Sequence, residues 1–273
     1  GYETRASHPG EQTSWQRNIA YPRLGFDSFK CGEDMDVPQT EEHGYVSDDS
    51  DFEQIIWEFE HKDESTPLFL FNVTIQNHGS YTVEDYPAEV QLTGEPGAYP
   101  KAEQYLTLAN KTDEAFKKLI DYFSAQTEPT ILVMFGDHQP SVEQEFLDKA
   151  YGVTQDEMTM AQYMDKFKVP FIIWANYPLT GDSTKITSLN FFAQYVLRNA
   201  GIETSAYGKY LWNLQKTIPA MTFAGYFDSE GNAYSHLDTT KFTPLIKDYE
   251  RVQYNNLFGG DERQAELFAS PAS

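Results

Sequence analysis

The sequence predicts an α/β fold, with a mixed, mostly parallel central sheet flanked by helices. Short β-prone apolar runs at residues 68–75, 131–135 and 168–175 alternate with helical patterns, which is the order of a layered α/β domain. The run from Ile131 to Phe135 is continuously apolar, as expected of a strand buried on both faces. A chain of 273 residues with 40% hydrophobic and 15% aromatic content is also large enough for one sizeable core.

Taken in order, Asp51 is suited to cap a helix through Ile55, Ile56, Trp57 and Phe59, and the strand at 68–75 follows. After a loop over 82–100 with a turn between Gly94 and Gly97, a stripe of Leu108, Ala115, Phe116, Leu119, Ile120 and Phe123 predicts a long helix over 101–124. That stripe reads as core packing. Next come the strand at 131–135, short helices over 142–150 and 156–167, a third strand at 168–175, and a helix over 188–199 closed by Gly201. Residues 204–273 are rich in tyrosine and phenylalanine, with a hairpin turn at 227–232 and a packing helix or extended arm at 249–258. The expected division is therefore a domain over 1–203 and an aromatic appendage over 204–273.

Forty-two acidic against twenty basic residues give a net charge of −22, which argues against nucleic acid and against unassisted binding to anionic membranes. The acidic runs at 33–36, 41–42 and 48–53 read as a solvated loop leading into a helix. His43, His61 and His236 have no motif around them and read as surface residues. Cys31 is the only cysteine, so no intrachain disulfide forms. No apolar run approaches 18 residues, so no spanning segment is expected in this chain.

Two strand ends carry the chemistry. The run 131–135 leads through Gly136 into Asp137 and His138, placed where open α/β sheets keep their sites. A carboxylate and a neutral imidazole suit Mn²⁺ or Zn²⁺, and Mg²⁺ less well. From these two residues alone, an Asp137 helix cap beside an exposed loop histidine is an equal reading. The run 68–75 likewise delivers Asn77, His78 and Gly79. His78 is suited to hydrogen-bond a phosphoryl or sulfuryl oxygen or to protonate a leaving alkoxide, while the same tripeptide is also ordinary turn chemistry.

These two strand ends occur in consistent order with His8, the Trp15–Arg17 segment and Leu24 to Asp27. The chain thereby resembles the lipoteichoic acid synthase and phosphoglycerol transferase family, a sulfatase-like branch of the alkaline phosphatase superfamily, over about residues 1 to 200. The resemblance implies that Asp137 and His138 are metal ligands, with Mn²⁺ the best-suited ion, and that His78, Trp15 and Arg17 contact glycerol phosphate; His8 lies in the same pocket region. Chemically, Arg17 brings a rigid donor fork and Trp15 a flat wall. The bland alternatives are a solvated arginine and a tryptophan plug over the core.

The resemblance further implies a lipid-linked glycerol phosphate donor and an envelope polymer acceptor. The parent would be anchored to a bacterial membrane with its catalytic part on the extracellular face. The family's threonine nucleophile and first glutamate ligand would lie before Gly1, so the fold is expected to be incomplete at its N-terminus and the chain by itself inactive. Within the enzyme class, sulfatase and phosphoethanolamine transferase activities are the competing readings. Outside it stands a non-catalytic surface module that binds polyanions or carbohydrates.

Overall fold

A computed structural model of the protein describes residues 1–82, 86–179 and 186–269. Its elements run β1 (Glu3–Ser7), α1 (Arg17–Leu24), β2 (Ser28–Lys30), β3 (Glu41–Glu42), β4 (Tyr45–Val46), α2 (Asp48–Glu60), β5 (Leu68–Asn72) and α3 (Pro100–Ser124). They continue with β6 (Ile131–Phe135), α4 (Gln144–Tyr151), α5 (Met160–Asp165), β7 (Phe171–Ala175), α6 (Leu189–Asn199) and α7 (Ala206–Gln215). The chain closes with β8 (Ala220–Met221), β9 (Gly225–Phe227), β10 (Ala233–Ser235), α8 (Thr243–Phe258) and α9 (Ala265–Phe268). Its contacts divide it into two compact units, Gly1–Thr127 with Pro140–Ala150, and Glu128–Gln139 with Tyr151–Ser273.

The first unit holds a parallel sheet in the order β2-β1-β5, with Arg5 opposite both Ser28 and Leu70. Because the strands are parallel, their carboxyl ends share one edge, and the chain after β1 and β5 is delivered to the same place. Helices α2 and α3 pack together through Phe52 on Phe116 and Phe59 on Phe123. The predicted α3 stripe is core: Leu108, Ala115, Phe116, Leu119 and Phe123 are buried. Pro100 opens α3, and Glu143 satisfies two of its free donors by accepting from the Lys101 and Ala102 amides at 2.8 and 3.1 Å.

Two expectations change here. The strand at 68–75 stops at Asn72, so Thr74 lies beyond it. The acidic run at 48–53 is not simply a solvated face: Asp48 and Asp51 are 0% and 2% exposed, because the first turn of α2 points inward at Asn72, Gln76 and Thr112.

In the second unit β6 pairs antiparallel with β7, Ile131 opposite Ala175 and Phe135 opposite Phe171. The apolar run predicted burial on both faces, yet Phe135 and Ile172 remain exposed. The pair is a two-stranded ribbon whose phenylalanines pack on Phe192 of α6 at 5.1 and 5.3 Å. The predicted hairpin turn joins β9 to β10, and α7, α8 and this sheet close a core around Phe191, Leu211, Ile218, Tyr226 and Ile246. Among the described residues, no helix is long and apolar enough to cross a membrane.

Candidate functional site

The shared edge of β1 and β5 brings four of the sequence-predicted residues into the first unit's strand-end loops. His8 follows β1 directly. Its amide donates to the Lys30 carbonyl at 3.1 Å, and its Nδ1 lies 2.8 Å from the Val73 carbonyl. A carbonyl only accepts, so Nδ1 carries the proton and Nε2 is the bare nitrogen. That nitrogen is buried without a partner, in a side chain 2% exposed, and a methyl group placed on Gly10 would meet it at 2.6 Å. Burial pushes the His8 imidazole below its ordinary 6.5; the Val73 bond opposes this, and the nearby Arg17 and His78 charges add to it. His8 is therefore a neutral acceptor.

The loop after His8 carries Trp15 and Gln16 in left-handed backbone conformations, φ 52° and 55°, which side-chain-bearing residues seldom adopt. The result is a tryptophan held out in the open at 68% exposure rather than a plug over the core. Arg17 lies over its ring at 4.8 Å, and one guanidinium nitrogen donates to the Ser14 carbonyl at 3.3 Å. Trp15 also meets the His78 ring edge-on at 5.9 Å. Guanidinium, indole and imidazole thus occupy one open surface, with His8 close beside it.

His78 sits on a loop that is tied down from below. The Gln76 side chain accepts from the Asp48 amide at 2.9 Å and donates to the Leu108 carbonyl at 3.2 Å. Thr112 receives hydrogen bonds from Gln76 and Asn77 at 3.2 and 2.8 Å and lies 2.6 Å from an Asp48 carboxylate oxygen. Burial pushes the Asp48 carboxyl up to about 6, against the Thr112 and Gln76 bonds. Such a buried polar network holds one loop conformation in place of many.

Sequence reading passed over the β3–β4 hairpin. It treats His43 as a surface residue, whereas His43 is half-buried against Tyr45, Tyr81 and Tyr86 and bonded to the Gln76 carbonyl at 2.5 Å. Tyr45 of the same hairpin reaches His78 itself. The signal was present in a two-residue turn ending in glycine, His43-Gly44.

Asp137 and His138 belong to the second unit, where they follow β6 through Gly136. A methyl group on Gly136 would crowd Val169 at 3.0 Å, which explains glycine there. The two side chains are 86% and 74% exposed. His138 Nδ1 donates to the Gln139 carbonyl at 2.9 Å, leaving Nε2 bare, 3.4 Å from an Asp137 oxygen. Two ligands about 2.1 Å from a tetrahedral ion stand about 3.4 Å apart, so this donor pair fits one edge of a divalent metal's shell. Among the described residues, no group of three or more His, Cys, Asp or Glu side chains is placed to hold a metal.

A family model described as Sulfatase matches residues 1–202. The chain is 27% identical over 285 aligned positions to a Rhizobium meliloti (strain 1021) protein assigned to cyclic beta-1,2-glucan modification, a match covering all of this chain and 43% of that relative. It thus spans less than half of the relative's length. Among solved structures it is similar to the phosphoglycerol transferase GacH of Streptococcus pyogenes, in complex with sn-glycerol-1-phosphate, with a TM-score of 0.71 at 18% identity. That match covers 99% of this chain and 65% of the other. The lipoteichoic acid synthase LtaP of Listeria monocytogenes follows with a TM-score of 0.60 at 15% identity, covering 94% and 71%. At these identities the structural likeness shows the fold.

Proposed function

We propose, on the premise that this chain belongs to the sulfatase family, that it forms part of a metal-dependent phosphoglycerol transferase. In this reading it moves glycerol phosphate from a lipid donor to an envelope polymer or glycan. The observation that carries the reading is the grouping of His8, Trp15, Arg17 and His78 on the carboxyl edge of one parallel sheet. The likeness to a phosphoglycerol transferase fold and to a glucan modification protein supports it. The family match ends at residue 202, while residues 204–273 share a compact unit and a core with α6, so in this reading they extend that unit past the family match.

The roles follow from the chemistry of each group. Arg17 presents a planar fork able to grip two phosphate oxygens, and its stacking on Trp15 holds that fork in one plane. Trp15 gives the glycerol carbons an apolar wall with one donor. The bare Nε2 of neutral His8 is enclosed beside Gly10, so it would accept from a glycerol hydroxyl only once the Gly10 backbone moves aside. His78, open to solvent, holds or gives a proton to an oxygen of the transferred group. Asp137 and His138 would hold a divalent cation, Mn²⁺ by donor type, whose charge lowers the cost of phosphoryl transfer when bound. The parent would be membrane-anchored with this part outside the cell.

Calorimetric titration tests the reading. The chain should bind sn-glycerol 1-phosphate more tightly than inorganic phosphate, phosphoethanolamine or sulfate. Equal affinity for all four would leave a general anion site, and preference for sulfate or phosphoethanolamine would favour those activities.

A further inference from the structure

We propose that Tyr45 is a positioning residue for His78: the tip of the β3–β4 hairpin clamps the loop carrying the imidazole and fixes which ring nitrogen faces the ligand. The proposal rests on the reading of His78 as a ligand-facing group.

The hairpin is built to be rigid despite its size. Strands of two residues do not stand alone in water. His43 and Gly44 form the turn with φ of 39° and 91°, both left-handed as a type I′ turn requires, and Glu42 pairs with Tyr45 across it. Glu42 accepts from the Tyr86 hydroxyl at 2.7 Å and from Lys111 of α3 at 3.0 Å. His43 donates to the carbonyl of Gln76, whose side chain is locked between α2 and α3. The hairpin is thus anchored to α3 and to the start of the His78 loop.

From this frame the Tyr45 hydroxyl reaches the imidazole. His78 Nδ1 lies 2.7 Å from the Gly79 carbonyl, which can only accept, so Nδ1 carries the proton. The Tyr45 oxygen is 3.3 Å from that carbonyl and 3.4 Å from Nδ1. It donates its hydrogen to the carbonyl and offers Nδ1–H a second acceptor, closing a triangle of three groups. Nε2 is left with its lone pair for a ligand hydroxyl or, once protonated, donates to a phosphoryl oxygen. The Tyr45 ring meets the imidazole edge-on at 5.7 Å, as Trp15 does at 5.9 Å, so two aromatic walls hold the ring plane. Removing Tyr45 takes away one aromatic wall and the hydroxyl that ties down the Gly79 carbonyl, which frees the imidazole to change rotamer and so to lose the Nδ1–Gly79 bond that sets its tautomer.

The test combines nitrogen NMR of ¹⁵N-histidine-labelled chain at pH 8 with titration of sn-glycerol 1-phosphate, on wild type, Tyr45→Phe, Tyr45→Ala and His78→Ala. The wild type should show His78 as the Nδ1–H tautomer. Tyr45→Phe, which keeps the ring and the fold, should mix the tautomers and weaken binding about fivefold, the effect of one hydrogen bond. Tyr45→Ala should weaken it further, and the His8 tautomer should stay unchanged in both as the control on folding. If both Tyr45 variants keep the wild-type tautomer and affinity while His78→Ala loses binding, the role of Tyr45 is overturned and the pocket reading stands. If His78→Ala binds like the wild type, the pocket reading fails and the Tyr45 proposal with it.

Discussion

Asp51→Asn should stabilise this protein above neutral pH and leave it almost unchanged near pH 4. Asp51 is fully enclosed at the start of α2, and burial pushes its carboxyl up to about 8 from 3.8. The 2.6 Å bond from Asn72 opposes that shift and the Asp48 charge adds to it. The folded chain therefore holds this proton more tightly than the unfolded chain does. Its contribution is complete below about pH 4 and is lost as pH rises through about 8. A displacement of about four pH units corresponds to about 6 kcal/mol at about 1.4 kcal/mol per unit. Asparagine keeps the shape and the acceptor for Asn72 but has no proton to lose. Urea unfolding of both proteins between pH 4 and 9 gives the difference directly. It also cancels His8, whose lowered pKa contributes the opposite slope just below 6.5. The stability gap should open steadily between pH 4 and 8.5; a gap that stays within about 1 kcal/mol across that range would refute the buried, protonated carboxyl.

The remaining predictions concern ligands. Arg17→Lys should weaken sn-glycerol 1-phosphate and inorganic phosphate alike by about 1 to 2 kcal/mol in calorimetry, whereas Trp15→Ala should weaken mainly the glycerol ester; wild-type affinity in Arg17→Lys would return Arg17 to the solvated surface. Gly10→Ala places a methyl group against His8 Nε2, so it should displace that ring and lower glycerol phosphate affinity while the far-ultraviolet dichroism stays unchanged; unaltered affinity would remove His8 from the pocket. Mn²⁺ should bind the chain weakly, because Asp137 and His138 supply only part of a shell, and Asp137→Ala or His138→Ala should abolish what binding calorimetry detects. Persistence of that binding in either variant would move the metal elsewhere.

The sequence made legible what depends on local pattern. The α3 stripe, the strand at 131–135 and the turn at 227–232 are periodicity and turn chemistry, and the structure reproduces them. Legibility failed where tertiary contact decides. The run 131–135 looks the same whether its neighbour is parallel or antiparallel, and only pairing with β7 sets the direction. Asp48 and Asp51 sit within a charge run that composition assigns to water, yet the turn of α2 carries both inward to Asn72, Gln76 and Thr112. His8, Trp15, Arg17 and His78 were readable as residue types in a familiar order. That they share one strand edge comes from the parallel pairing of β1 with β5. Tyr45 was missed because strands of two residues leave no alternation to read.

The most direct test of the account follows the six histidines of the labelled chain by nitrogen NMR as sn-glycerol 1-phosphate is added. The resonances of His8 and His78 should move together along one saturating curve, while His61 and His236, which lie outside the pocket, stay fixed. If all six drift alike, or if His8 and His78 remain still at saturating ligand, the strand-edge pocket is not a glycerol phosphate site.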